Sequence, residues 1–83
     1  MPQMEDQPLC TWKPGDRGVI TRIHPESLEL LDYLANHEIV PGQSVVFDSI
    51  EPFDGPTLLQ VSGQPHAFGR EITAHIYGIR DND

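Results

Sequence analysis

Residues 39–51, Ile-Val-Pro-Gly-Gln-Ser-Val-Val-Phe-Asp-Ser-Ile-Glu, decide how the rest of this chain is read. Pro41-Gly42 is a turn pair. Proline presets φ at the first corner of a turn, and glycine accepts the positive φ of the second. Ser44 to Ile50 then reads as a strand, because it is rich in β-branched and aromatic residues. Val45 and Phe47 share one face by the period of two, and Asp48 falls on the other. The segment before this stretch has leucines at helical spacing, and the segments after it are short and punctuated by glycine and proline. A helix hands over here to a small antiparallel barrel.

Working outward toward the N-terminus, Leu28, Leu31 and Ala35, joined by Leu30 and Leu34, form a broad apolar stripe. The stripe is expected to dock on the core, because so small a domain needs its leucines. His24-Pro25-Glu26-Ser27 is expected to start this helix, since proline suits the first helical position. The helix ends near Asn36, a residue that tolerates left-handed geometry. Upstream, Lys13-Pro14-Gly15-Asp16 is a second turn, followed by a strand over Arg17 to Ile23. In that strand Val19 and Ile23 bracket Thr21 on one face, with Ile20 and Arg22 on the other.

Toward the C-terminus, Pro52-Phe53-Asp54-Gly55-Pro56 is a projecting loop, with Asp-Gly between prolines forcing a turn. Thr57 to Ser62 is the next strand, with Leu59 and Val61 toward the core. Ser62-Gly63-Gln64 is a tight hairpin turn, and Gln64 to Phe68 returns as a short strand that Pro65 marks as an edge. Gly69 to Ala74 forms one helical turn, and His75 to Ile79 is the last strand. The expected fold is mainly β, a small antiparallel barrel of about five strands with one α-helix and a short helical turn before the last strand. Residues 1–11 are expected to be a flexible arm, 12–79 the domain and 80–83 a tail.

Composition narrows the function classes. A chain of 83 residues is one domain with a thin core, burying only about 60% of its unfolded surface. Thirteen acidic against five basic residues give a net charge of −8. A nucleic-acid binder needs a basic surface to displace phosphate counterions, and an anionic membrane repels an acidic protein, so both partners are disfavoured. No apolar run is long enough to insert in a membrane, and no signal peptide is legible, so the cytoplasm is the default location. Cys10 is the single cysteine, which rules out an internal disulfide and fits a reducing compartment. No nucleophile elbow, phosphate loop or zinc-protease motif is present, and the chain is not expected to be an enzyme.

The succession of helix, Pro41-Gly42, strand, Pro52-x-x-Gly55-Pro56, strand, Gly63, short strand, Gly69-Arg70-Glu71 and apolar strand resembles the FeoA core domain, from about Trp12 to Ile79. The resemblance implies an SH3-like β-barrel. It also implies one of two settings: a free-standing protein beside the bacterial ferrous-iron transporter, or the C-terminal domain of a DtxR-type iron- or manganese-dependent repressor. Residues 29–34, 52–56 and 66–71 look more like the repressor branch. The implied partners are the cytoplasmic region of the transporter, or the other domains of a repressor. The family usually has glycine where Glu38 stands, so the helix end here must use other residues, with Asn36 as one option for the left-handed position. Some repressors lend a Glu and a Gln from the loop before the helix to an accessory metal site. That pair is missing from His24–Ser27 and is not carried over.

Two kinds of site remain to be weighed. No cofactor is required, but a transition metal such as iron, manganese or zinc would look to the histidines, whose spacings form no compact ligand motif. His24, His37 and Glu38 are the candidate ligands, although residues so placed are more often solvated surface residues. For a protein partner the candidates are Trp12, Phe53 and Asp54. Trp12 reads either as the cover of one end of the core or as a peptide-binding aromatic. Phe53 either folds back over the barrel or meets a partner, and the surrounding carboxylates either solubilise the domain or steer a basic partner. A stand-alone metal-binding protein is the third function in view.

Overall fold

A computed structural model describes residues 6–24 and 28–81. Its elements, in chain order, are β1 (Gln7–Pro8), a 3-10 turn (Leu9–Thr11), β2 (Arg17–Ile23), α1 (Leu28–Asn36), β3 (Ser44–Ile50), β4 (Thr57–Val61), β5 (Gln64–Phe68), α2 (Arg70–Thr73) and β6 (Ile76–Arg80). The strands form one antiparallel sheet in the order β1-β6-β2-β3-β4-β5. The core lies on its concave side, around Leu9, Ile20, Leu34, Val45, Phe47, Leu59 and Ile76. This is the SH3-like architecture expected, with the helix between β2 and β3 and the helical turn before the last strand.

Among the described residues the sheet has six strands rather than five. The extra one lies in the expected arm: Gln7 and Pro8 pair with Gly78 and Tyr77, and Leu9 behind them is fully buried. Residues 7–11 therefore belong to the domain, and so does the start of the expected tail, since β6 runs to Arg80. A two-residue strand leaves no periodic signature, so this pairing is not legible in the sequence. Asp6 fastens β1 across β6 to β2. Its carboxylate accepts from Thr21 Oγ1 at 2.8 Å and from Arg22 Nε at 2.8 Å, and the Arg22 guanidinium lies 3.9 Å above the Tyr77 ring.

The Pro-Gly turns behave as the sequence predicts. Gly15 and Gly42 have φ of +96 and +98. Each turn is tied to the neighbouring strand: the Gly42 amide donates to the Ile20 carbonyl at 2.7 Å, and the Gly15 amide to Phe47 at 2.8 Å. Asp16 anchors the first turn by accepting from the Lys13 amide at 2.8 Å.

Two bulges override simple alternation. In β2 the register shifts between Ile20 and Arg22, so Thr21 is the extra residue. A bulge changes the phase of the strand. Ile20 and Ile23, placed on opposite faces by strict alternation, both reach the core, while Val19 is outside. In β3 the shift falls at Asp48, between Phe47 and Ser49. Ile50 is thereby brought opposite Thr57, on the inner side of the sheet at its far end, beyond the reach of the core. It stays half exposed there.

The helix docks more narrowly than its stripe suggests. Leu34 is fully buried and Leu30 packs against the core, one turn apart on a single ridge. Leu28, Leu31 and Ala35 are exposed. A nine-residue helix lying on a small sheet offers it one ridge, and the other leucines remain outside. The expected start at Pro25 to Ser27 lies outside the described residues.

The helix end is a Schellman turn. The Ile39 amide donates to the Leu34 carbonyl at 2.8 Å and the Glu38 amide to Ala35 at 3.0 Å. Glu38 occupies the left-handed position at φ 61, so neither Asn36 nor a glycine serves there. Leu34 and Ile39, which bracket this turn, are both fully buried. That burial holds Glu38 in a conformation costing an L-residue roughly 1–2 kcal/mol.

Candidate functional site

The loop that joins β3 to β4 is closed at its base by the Glu51 amide, which donates to the Pro56 carbonyl at 3.0 Å. The turn within it is centred on Phe53 and Asp54, at φ 60 and 58, with the Gly55 amide donating to Pro52 at 3.2 Å. Two successive left-handed residues are the mark of a primed hairpin turn, which matches the twist of the strands it joins. The sequence suggested Asp54-Gly55 as the corner, but Gly55 is needed for space instead. A Cβ there would meet Glu51 Cβ at 2.7 Å and the Pro52 carbonyl at 3.0 Å. With Gly55 packed against the loop base, the corner moves one residue back, and Phe53 is carried to the tip with 99% of its surface exposed.

Beside the tip opens a cleft of about 700 Å³. Ile50, Asp54, Gly55 and Thr57 line one side, and the other comes from Cys10 and the stretch Arg70–His75 around α2. Glu51, Asp54 and Glu71 are exposed near it, with Arg70 and His75 as the bases of its lining. Sequence reading singled out Phe53 and Asp54 but gave no sign of the cleft, since the proximity of Ile50 to α2 depends on the β3 bulge and on the packing of elements distant in the chain.

Trp12 corrects the reading of it as a partner aromatic. Its side chain is buried, and an added Cβ on Gly78 would come within 3.1 Å of the indole. Trp12 covers one end of the core, with its Nε1 buried and without a hydrogen-bond partner among the described residues.

The metal candidates are not assembled into a site. The His24 amide donates to the His75 carbonyl at 2.8 Å, at the end of the β2–β6 ladder. His37 follows α1 and meets His66 of β5 instead, with ring centroids 5.8 Å apart and Tyr33 at 4.6 Å. His66 stacks on Phe68 at 5.3 Å. Burial, and then the proximity of His37, hold the His66 imidazole below the usual histidine value. Its Nε2 is buried with no hydrogen-bond partner among the described residues. Among the described residues no three of His, Cys, Asp and Glu are grouped so as to hold a metal ion. Glu38, exposed on the Schellman turn, serves the backbone.

A model of the FeoA domain matches residues 7–80, from the first strand through the last. The chain belongs to the FeoA family. An iron uptake regulatory protein, FeoA, superposes with a TM-score of 0.81 at 22% identity, over 93% of this chain and 100% of that one. A FeoA-like protein from Clostridium acetobutylicum gives 0.86 at 16% identity, over 98% and 93% of the two chains. A manganese-dependent transcriptional repressor gives 0.86 at 18% identity, where the match takes in 98% of this chain but 45% of the repressor. These likenesses establish the fold. No curated protein gives a significant sequence match. FeoA domains thus occur both in proteins linked to iron transport and within metal-dependent repressors. No helix among the described residues is long and apolar enough to cross a membrane.

Proposed function

We propose that this FeoA domain works by protein contact, without catalysis, as an accessory or regulator of ferrous-iron transport in the cytoplasm. Its partner would be the cytoplasmic region of the transporter. The observation that carries the reading is the Phe53 tip, a fully exposed aromatic on a strained turn, with Asp54 beside it. Exposed aromatic residues supply much of the binding energy where proteins meet. The acidic surface supports a basic protein surface as the counterpart. The test is uptake of radiolabelled ferrous iron by cells lacking the chain. Uptake should fall and should recover when the chain is restored. Unchanged uptake removes the proposal.

The likeness to repressors favours a second reading, in which the domain is the regulatory C-terminal part of a metal-dependent repressor. A manganese-bound repressor superposes with a TM-score of 0.87, over 96% of this chain and 39% of that one. A reading frame running upstream into a helix-turn-helix, with loss of metal-dependent repression on its deletion, would select it.

A further inference from the structure

The β3–β4 tip holds two side-chain-bearing residues, Phe53 and Asp54, in the left-handed region that glycine adopts freely. Strain of this kind persists where the surrounding structure over-determines it, and it concentrates at ligand clamps and other functional points. Here the determinant is Gly55, locked between Glu51 and Pro52. The ring presented by this arrangement is 99% exposed, so burial within the chain does not offset the strain. Next to the ring lies the cleft, open along one side, with Ile50 as an apolar wall and Asp54 and Glu71 on its border. A groove of mixed lining, with one aliphatic wall and an exposed aromatic beside it, suits an extended peptide.

Charge decides between occupants. The chain carries −8, and Asp54 and Glu71 line the cleft, with Glu51 exposed next to its wall residue Ile50, against Arg70 and His75. Nucleic acid and anionic lipid are repelled by such a surface, and so is a second copy of the chain. A cationic segment is attracted.

We infer that the cleft and the Phe53 tip form one docking site for an extended segment of another protein, bearing lysine or arginine beside aliphatic residues. An aliphatic side chain enters between Ile50 and α2, Phe53 closes over the segment, and Asp54 and Glu71 pair with its cations. The inference rests on the protein-contact reading above, and it fixes where the partner binds and with what chemistry.

The test is an NMR titration of the isotope-labelled full chain with three nine-residue peptides that alternate leucine with arginine, with serine or with glutamate. The arginine peptide should shift the amides of residues 50–55 and 70–75 saturably, and less so as salt rises. Phe53→Gly should weaken it at least tenfold while raising the melting temperature by about 3–6 °C, because glycine relieves the strain. A residue that merely closes the turn would lose no binding when so stabilised. The double variant Asp54→Asn/Glu71→Gln should flatten the salt dependence. Equal binding of the glutamate peptide, shifts confined to other residues, or undiminished binding by Phe53→Gly overturns the inference. Iron uptake separates the two proposals. If uptake requires the chain but is indifferent to Phe53→Gly, the transport role stands and the docking site falls. If uptake is independent of the chain while the arginine peptide still binds at the tip, the transport role alone falls.

Discussion

Replacing Glu38 by glycine should make this protein more stable, although it removes a side chain and adds backbone freedom to the unfolded state. Glu38 sits at the left-handed position of the Schellman turn at φ 61, and its side chain is exposed. The strain relieved is roughly 1–2 kcal/mol. Glycine's extra freedom in the unfolded chain gives back about 0.5–1 kcal/mol. The net gain is about 0.5–1 kcal/mol, or a rise in melting temperature of about 3–6 °C for a domain of this size. Removing a carboxylate near a helix C-terminus also favours the helix, by a few tenths of a kcal/mol in about the same direction. Glu38→Gln isolates that contribution, since it keeps the strain and loses the charge. The assay is urea unfolding followed by far-UV circular dichroism, comparing wild type, Glu38→Gly, Glu38→Gln and Glu38→Ala. Glycine should exceed both controls. If it equals or falls below Glu38→Ala, Glu38 is not left-handed in solution and the account of the helix end is wrong.

Three other outcomes are expected. Leu34→Ala should cost about 2–5 kcal/mol, because Leu34 is fully buried beneath the Schellman turn, while Leu28→Ala should stay within about 0.5 kcal/mol. Equal losses in urea unfolding would mean that the helix docks on its whole stripe. The His66 imidazole should titrate below the ordinary 6.5 in an NMR pH series. The unfolded chain then binds the proton more tightly, so the stability associated with neutral His66 is present above the ordinary value and is lost as pH falls through the lowered one. His37→Ala should raise that midpoint, and a wild-type midpoint at or above 6.5 would contradict the packing of the two rings. Hydrogen bonds from Arg22 and then Thr21 hold the Asp6 carboxyl below its usual range. The fastening of β1 should therefore be complete above the ordinary Asp value and fade as pH falls through the lowered one. Asp6→Asn should speed hydrogen exchange at the β1–β6 ladder and leave the melting temperature nearly unmoved.

Much of this domain was legible in the chain. The Pro-Gly pairs, the inward Val45, Phe47, Leu59 and Val61, the edge strand with Pro65, and the projecting aromatic loop all follow from local stereochemistry, since turn geometry and strand alternation act over a few residues. The antiparallel pairing of β3 with β4 and of β4 with β5 follows in turn, because links this short join neighbouring strands in no other way. The acidic balance likewise disfavours nucleic acid and anionic membranes from composition alone.

What the sequence could not supply depends on contacts between distant residues. Pairing of Gln7–Pro8 with β6 requires Asp6 to find Thr21 and Arg22 across the sheet. The bulges at Thr21 and Asp48, which turn Ile23 into the core and Ile50 toward the cleft, are settled by register with β6 and β4. His37 meets His66 because the helix lies on β5's side of the core, and Glu38 takes a glycine's conformation because Leu34 and Ile39 are buried on either side of it. Local preference names the elements of this protein. Only the packing of one element on another, whose burial energy exceeds a kcal/mol of backbone strain, decides which residues line the surface it offers.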